Sequence, residues 1–444
     1  MPLVSRSVLF PALMLALAAA WPGAVSAQSV KTPADWDLKV GQNLKGKLPV
    51  KGEAWLPDDD TYAWQGARYI EGYLALARVT GDRKYMNDSR EILDYMLSNR
   101  DDIRFAGKPL NAVYSYAPTY YMFHRGTPAK GWRRKSGPVT PEGPSMGVSV
   151  LIDGRICEMF IQWCELARQG FPGVYEADIT RYLDRVQETI EMHLPSFFPV
   201  GKVDPAKITY HATLPDGGFR HWWHITKLPI TPAASEAPRT FSGQIPLNHS
   251  MTMARAMLGY GRLRGTDVYR DKVQLVVNFF LNSIDPAVKD RALWEYDPAR
   301  KDRFDIEDVG HATIDLSLIE AAYRAGGYGI DDTLVKRLVK TFHGFYYEPT
   351  HDVYFNISGP KNPGDLPRKN YGERTAIGFA SWLWLAEFDP TIAAKVRATY
   401  EDYFTNGSSG FTMGGWGNLL YAESVIAGKA AIVLPKTPVQ PAAR

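Results

Sequence analysis

Residues 245–281 read IPLNHSMTMARAMLGYGRLRGTDVYRDKVQLVVNFFL, and this stretch predicts the architecture of the chain. A proline lies just before a run of helix-forming residues. That run ends in basic residues followed by Gly265, and glycine readily takes the left-handed conformation that ends a helix. A second helical run begins near Tyr269 and continues to Leu281. The stretch therefore predicts two antiparallel helices joined by a short turn.

The same arrangement recurs along the chain. Comparable turns contain Gly81, Gly170 and Gly326, and each is followed by another apolar-periodic run. The runs are 62–79 with 85–97, the run ending at 170 with 175–192, the run ending at 326 with 331–342, and 375–387 with 390–404, before a closing helix over 418–428. Roughly ten to twelve helices in hairpins, without a series of alternating strands, predict an all-α toroid or solenoid.

The connections between the hairpins are unequal, which argues against a strictly periodic repeat protein. Long segments rich in Pro, Gly and Trp occupy 105–147, 196–247 and 346–374. Long loops in a compact domain are usually functional, and in a ring of hairpins the loops at one end converge over one cleft. We therefore predict an α/α toroid, an incomplete barrel of about five to six helix hairpins, with long aromatic-rich loops over one rim.

The N-terminus has the pattern of a secretory signal. A basic residue precedes an apolar run over 8–20, and Val25-Ser26-Ala27 offers a small-residue cleavage site. The predicted segments are a signal peptide over 1–27, an N-terminal lead over 28–54, a catalytic toroid domain over 55–430 and a C-terminal tail over 431–444. The mature protein is expected in the periplasm or outside the cell. No membrane span is expected, because no later segment approaches about 20 uninterrupted apolar residues.

Charge and cysteine content narrow the function less than the export signal does. Removal of the signal lowers the formal charge from +3 to +2, because that segment contains one Arg and no acidic residue. This balance neither requires nor excludes a polyanionic partner. Cys157 and Cys164 lie seven residues apart in a helical pattern, about 10 Å along the axis, which is too far for a disulfide. The sequence predicts neither crosslinks nor a cysteine metal site, and it does not indicate an oligomeric state.

Basic and aromatic residues alternate in the long insertions. This mixture suits a ligand that is both anionic and built of rings, either an acidic polysaccharide or single-stranded nucleic acid, and export favours the polysaccharide. The predicted substrate-binding residues are Tyr120, Arg133, Arg134, Lys135, Trp222, Trp223, Tyr354 and Arg368. The alternative for residues 133–135 is a solvated loop without a ligand.

A group of acidic residues precedes the helical run near residue 310. Glu307, Asp308, His311 and Asp315 follow helical spacing, so they can share the mouth of that helix. Three interpretations remain open. The group could be a weak match to a zinc site, a carboxylic acid and carboxylate pair of a glycoside hydrolase, or a structural cap in which Asp308 holds His311.

Asn248-His249-Ser250 opens a helix rich in small and apolar residues, within an exported helix-hairpin chain. This segment resembles the Asn-His-Ser segment of alginate lyases with an α/α-toroid fold. In that family the Asn and His belong to the active site, and an Arg and a Tyr follow further along. Arg291 and Tyr296 lie at a comparable interval here. The hairpin pattern is also similar to that of toroid hydrolases, including those that act on unsaturated uronides.

The resemblance implies β-elimination from a uronic-acid polymer. This reaction needs donors that neutralise the substrate carboxylate, a base for the α-proton and an acid for the leaving oxygen. The implied roles are carboxylate neutralisation for Asn248, base or neutraliser for His249, acid and alternatively base for Tyr296, an assisting role for Arg291, and reserve base for His311. Amide, imidazole, phenol and guanidinium groups supply these roles without a metal or an organic cofactor.

The sequence therefore predicts a secreted polysaccharide lyase that acts on an acidic, alginate-like polysaccharide. A glycoside hydrolase on the same scaffold, with a carboxylate pair, is the alternative. A non-catalytic glycan-binding protein is the third possibility.

Overall fold

The computed structural model describes residues 29–44, 61–107, 128–140, 143–199, 214–219, 246–298, 306–362, 364–367, 381–405 and 410–434. The signal peptide predicted over 1–27 lies outside the described residues, so cleavage after Ala27 stays a prediction. Large parts of the three insertions lie outside them as well.

The described residues form twelve α-helices and one 3₁₀ helix that takes part in the ring. The α-helices are α1 (Pro33–Leu44), α2 (Ala67–Thr80), α3 (Arg83–Ser98), α4 (Asp101–Arg104), α5 (Val150–Gly170), α6 (Glu176–His193), α7 (Leu247–Arg264), α8 (Arg270–Ser283), α9 (Val309–Ala325), α10 (Asp332–Phe345), α11 (Thr391–Tyr403) and α12 (Gly410–Ile426). The 3₁₀ helix spans Leu383–Glu387.

Six of these elements form a closed inner ring. Helix α2 packs on α5 and α12, α5 packs on α7, and α7 packs on α9. The 3₁₀ helix packs on α12. It also meets α9, because Arg324 Nη2 lies 2.6 Å from Glu387 Oε1 and the rings of Tyr323 and Trp384 are 6.0 Å apart. The fold is thus an α/α toroid, as predicted.

The remaining long helices surround this ring. Helix α3 packs on α2, α6 on α5, and α8 on α7, while α1 and α11 pack on α12 and α10 packs on the 3₁₀ helix. Every element of the inner ring except α12, the last helix, is joined to the outer helix that follows it by a short turn. Gly81 and Gly265 end their helices with φ of 71° and 65°, and their N–H groups donate to Ala77 O and Gly261 O. The inner helices therefore run in one direction, with their N-terminal ends on the same side of the ring.

The longer connections lead from each outer helix to the next inner helix, so they return to the N-terminal side. The described parts contain three short antiparallel strand pairs that the sequence did not predict. They are β1 (Arg133–Thr140) with β2 (Gly143–Val148), β3 (Phe197–Pro199) with β4 (Gly217–Phe219), and β5 (Tyr346–Tyr347) with β6 (Asp352–Val353). This topology agrees with the prediction that the insertions lie over one rim.

The last inner helix begins eight residues earlier than predicted, at Gly410. Its glycines look like helix breakers in the sequence, but here they permit close packing. A Cβ atom on Gly415 would lie 1.7 Å from the Tyr400 hydroxyl, and one on Gly417 would lie 2.7 Å from Gly72 Cα. Tertiary contact therefore outweighs the low helix propensity of glycine.

Large aromatic side chains fill the space between the two layers of helices. Trp36, Trp132, Trp163, Trp294, Trp382 and Trp416 are fully buried. Cys157 and Cys164 are free and buried on α5. In the described part of the chain, no helix is both long enough and apolar enough to cross a bilayer.

Candidate active site

The N-terminal ends of α7 and α9 lie side by side, with residues 292–298 between them. The backbone N–H of Leu247 donates to Tyr296 O at 3.1 Å, and that of Glu307 donates to Trp294 O at 2.9 Å. These two bonds bring Asn248, His249 and Tyr296 to the acidic group that precedes α9. We call this region the N-terminal rim; it comprises Asn248, His249, Tyr296, Glu307, Asp308, His311 and Asp315.

Asp308 is the N-cap of α9 and binds His311 twice. Its Oδ1 accepts a hydrogen bond from the His311 backbone N–H at 2.9 Å, and its Oδ2 lies 2.5 Å from His311 Nδ1. Burial lowers the pKa of His311, but the Asp308 carboxylate outweighs burial and the pKa is raised. Burial raises the pKa of Asp308, but the charge and hydrogen bonds of His311 outweigh it and the pKa is lowered. The imidazole side chain is 43% exposed, so this pair faces solvent at the rim.

Glu307 and Asp315 form a buried carboxyl pair behind Asp308. Both residues are 0% exposed. Glu307 Oε1 accepts from the Asp308 N–H at 3.0 Å, and Asp315 Oδ2 accepts from Trp294 Nε1 at 2.9 Å. Glu307 Oε2 and Asp315 Oδ1 are buried and receive no hydrogen bond from a described donor. Burial together with mutual repulsion raises the pKa of Glu307, and burial raises that of Asp315 to about 7. We therefore expect the two carboxyls to share a proton.

Tyr296 stacks obliquely against the imidazole at the mouth of the site. The ring centroids of Tyr296 and His311 are 5.0 Å apart, with an interplanar angle of 51°. Burial and the neighbouring carboxylates of Glu307 and Asp308 raise the pKa of the Tyr296 phenol. The phenol is thus held protonated, which suits a proton donor better than a base.

Asn248 and His249 lie in the first turn of α7, where the sequence predicted them. Asn248 is 0% exposed, and neither its Oδ1 nor its Nδ2 has a hydrogen-bond partner among the described residues. A buried amide without partners is unfavourable in a folded protein, and a bound ligand is one way to satisfy it. His249 is 8% exposed and its backbone carbonyl accepts from Thr252 Oγ1 at 3.2 Å.

Arg291 does not join its predicted partners through its side chain. Its Nη1 donates to Ser358 O at 2.9 Å, and its guanidinium packs against Gly344 on α10. The guanidinium is thus engaged with an outer helix and the segment that follows it. An assisting role for Arg291 in catalysis would require it to leave this contact.

The basic cluster of the first insertion lies in strand β1, whereas a loop was expected. Arg133 is 3% exposed; its Nε lies 3.0 Å from both carboxylate oxygens of buried Asp101, and its guanidinium lies 4.1 Å from the Phe105 ring centroid. Arg134 is half-buried. The side chain of Lys135 lies outside the described residues. Arg133 is therefore part of the core, and a direct role in binding substrate stays untested for all three.

The other predicted binding residues are mostly outside the described part of the chain. Tyr354 is described and half-buried; its hydroxyl donates to Asp365 O at 2.7 Å. Tyr120, Trp222, Trp223 and Arg368 lie outside the described residues, so their roles stay predictions.

Within the described residues, Glu307, Asp308 and His311 could together hold a metal ion. One ligand atom from each lies within 4.8 Å of the others. Carboxylate and imidazole ligands suit several divalent cations. The open interpretations of this cluster thus include a metal centre as well as an acid–base site.

Sequence reasoning missed the buried polar residues that support the rim from inside the ring. Arg155 lies between Glu71 and Glu158, and Arg68 binds both Glu71 at 2.8 Å and Thr313 Oγ1 at 3.3 Å. Trp294, which donates to Asp315, was also missed. A signal existed for the first group, because α5 carries charges at positions 153, 155 and 158 within its otherwise apolar first half.

No protein-family model matches the chain, and no curated protein matches it. Similar solved structures include a glycosyl hydrolase of family 88 from Bacteroides vulgatus, with 12% identity over 88% of this chain and 97% of that chain and a TM-score of 0.47. They also include the GH76A α-1,6-mannanase from Salegentibacter sp. HEL1_6, with 9% identity, the same coverage and a TM-score of 0.47. A sugar epimerase from a ruminal bacterium has 10% identity over 83% of this chain and 85% of that chain, with a TM-score of 0.45.

These likenesses are too distant to assign a reaction or a substrate to this chain.

Proposed function

We propose that this chain is a carbohydrate-active enzyme that hydrolyses a glycosidic bond at the N-terminal rim. The observation that carries the proposal is that two carboxyls adjacent in sequence have different surroundings: burial and repulsion raise the pKa of Glu307, whereas the contact with His311 lowers that of Asp308. Glycoside hydrolysis needs one neutral carboxyl to protonate the leaving oxygen and one carboxylate to act as base or nucleophile. In this proposal Glu307 is the acid and Asp308 is the carboxylate that meets the sugar.

Asp315 supports the assignment as a positioning residue. Its carboxyl faces Glu307 and keeps the shared proton at neutral pH, while Trp294 fixes its other oxygen. Glu307 is fully buried, and Asp308 is the more exposed of the two residues. In this proposal the sugar therefore approaches from the side of Asp308 to receive the proton of Glu307.

Elimination from a uronate polymer is the second candidate reaction, and a different observation favours it. Besides Asp308, both His311 and its neighbour Tyr296 reach solvent at the rim, an imidazole and a protonated phenol in ring contact. With Asn248, whose amide has no hydrogen-bond partner among the described residues, as the carboxylate neutraliser, these are the residue types that β-elimination needs. The substrate would then be an acidic polysaccharide and the product would carry an unsaturated uronate.

A panel of neutral and acidic polysaccharides distinguishes the two reactions. Reducing ends and ultraviolet absorbance are followed together after incubation with the mature protein. Hydrolysis is expected to produce new reducing ends without an unsaturated chromophore. Reducing ends together with that chromophore would show that the reaction is elimination. Binding without either product would leave a glycan-binding protein and overturn the proposal.

A further inference from the structure

A cavity of about 430 Å³ lies at the opposite end of the ring from the N-terminal rim. Its walls are the C-terminal halves of the inner helices α2, α5, α7 and α9, completed by α12 and the 3₁₀ helix. The volume falls within the range of small-molecule sites. Residues 431–434 lie beside it, because Ile432 N donates to Arg78 O at 2.9 Å and Leu434 N donates to the Tyr421 hydroxyl at 3.2 Å.

A buried charged network lies between this cavity and the rim. Glu71 lines the cavity on one side. On the other side it binds Arg68 at 2.8 Å and also pairs with Arg155, which in turn lies 2.7 Å from Glu158. The network fills the centre of the ring, so a ligand in the cavity would not occupy the rim.

The cavity is lined by more cationic than anionic groups. Its arginines are Arg78, Arg168, Arg255, Arg262 and Arg324, and its carboxylates are Glu71, Glu165, Glu320 and Glu387. Arg255 binds Glu165 at 2.6 Å, and Arg324 binds Glu320 at 2.8 Å and Glu387 at 2.6 Å. Glu71 is already bound by two arginines from the interior. All four carboxylates are therefore already paired with arginines, and the electrostatic potential in the cavity is positive.

Arg78 differs from the other arginines of this cavity because it makes no ion pair with a described residue. Its Nε atom is buried and has no hydrogen-bond partner among the described residues. In the described part of the chain its side chain makes no ion pair; its guanidinium lies 5.5 Å from the Tyr421 ring centroid. A buried guanidinium donor without an acceptor is unfavourable, and a carboxylate or phosphate matches its planar donors best.

We propose that this cavity binds a small organic anion of monosaccharide size, with Arg78 as its counter-charge. The hydroxyl of Ser381 and the amide of Asn418 line the cavity beside the Trp384 and Tyr421 rings, which is a suitable wall for a sugar ring. The site is separate from the rim and does not depend on which reaction occurs there.

Titration calorimetry with sodium D-glucuronate at constant ionic strength tests the proposal, with D-glucose as the uncharged comparison. The mature protein is expected to bind glucuronate and not glucose. Arg78→Gln is expected to weaken binding at least tenfold. Arg83→Gln is the matched control, because Arg83 is exposed near the same turn and the substitution removes the same charge. This variant should bind glucuronate as tightly as the unmodified protein.

Two further variants keep the test decisive. Ser381→Met narrows the cavity without removing a charge and should also weaken binding, which covers the case in which Arg78→Gln fails to fold. His311→Gln changes the rim and should leave glucuronate binding unchanged. Absence of binding, equal binding by Arg78→Gln, or loss of binding in His311→Gln with retention in Arg78→Gln would each overturn the proposal.

Discussion

The backbone N–H of Leu247 donates to the carbonyl oxygen of Tyr296 at 3.1 Å, and this bond joins two parts of the candidate site that are 49 residues apart. It sets the first turn of α7, with Asn248 and His249, beside the ring pair of Tyr296 and His311. The acidic group before α9 lies behind that pair. The two candidate reactions therefore use different members of one rim, and single substitutions distinguish them.

Hydrolysis makes the carboxyl groups essential. Asp308→Asn is expected to lower turnover by at least ~10², because it removes the carboxylate that meets the sugar, whereas Asn248→Ala should cost much less. Initial rates on the cleaved polysaccharide measure both. The reverse ranking, with Asn248→Ala and His249→Ala nearly inactive, would identify elimination.

Asn248→Ala is also expected to leave stability nearly unchanged, although the residue is fully buried. The amide makes no hydrogen bond with a described residue, so its removal relieves an unsatisfied group worth about 1–3 kcal/mol, which offsets the lost packing. Urea denaturation measures the free energy of unfolding. A large loss would mean that the amide has a structural partner.

Tyr296→Phe removes one hydroxyl and little volume. If elimination occurs, the phenol is the proton donor and turnover should fall by about 10² or more, because burial and nearby carboxylates hold it protonated. If hydrolysis occurs, turnover should stay within a few-fold. The pH–rate profile of the variant provides the control, since the acidic limb set by Asp308 should persist in either case.

The Glu307–Asp315 pair should make the protein less stable as pH rises. Asp315 has a pKa of about 7 in the folded chain against an ordinary 3.8, so between these values the folded state binds a proton that the unfolded state has lost. The free energy of unfolding should therefore fall across this window, by at most about 1.4 kcal/mol per pH unit. Asp315→Asn should flatten the slope, as measured by urea denaturation at pH 5 and pH 8. An unchanged slope would contradict the shared proton.

Arg133→Ala should destabilise the fold by about 3–5 kcal/mol, because it removes the cationic half of a buried ion pair with Asp101. Arg134→Ala, one residue away and half-buried, is the control and should cost much less. Chemical denaturation of both variants checks the ranking. If both variants lost little stability, the prediction would be contradicted and Arg133 would again be a candidate for binding substrate.

Catalysis is expected to need no tightly bound metal, since Asp308 is already paired with His311. Exhaustive chelation should leave the rate nearly unchanged. Loss of activity that a divalent cation restores would make Glu307, Asp308 and His311 a metal centre, because their ligand atoms lie within 4.8 Å of one another.

The sequence by itself determined the helices and their pairing. Glycines such as Gly81 and Gly265 at helix ends and apolar periodicity are local signals, and they predicted the hairpins and the toroid. The hydrogen bond by which Asp308 caps α9, at the backbone N–H of His311, was equally local, because both residues belong to one helical turn. The segment at residues 410–417 misled the sequence reasoning, because its glycines serve contact with α2 and Tyr400.

Only the tertiary structure decided which charged residues are buried, and with what partners. Arg133 was expected in a loop, but it pairs with Asp101, which lies 32 positions away in the sequence. The contact of Arg291 with Ser358 O likewise joins residues that are distant in sequence. The raised pKa of Asp315 depends on its burial, and the indole of Trp294 that donates to it lies 21 positions away. The physical reason is that a pKa and an ion pair depend on distance in space and on access to water, and the spacing of residues along the sequence determines neither.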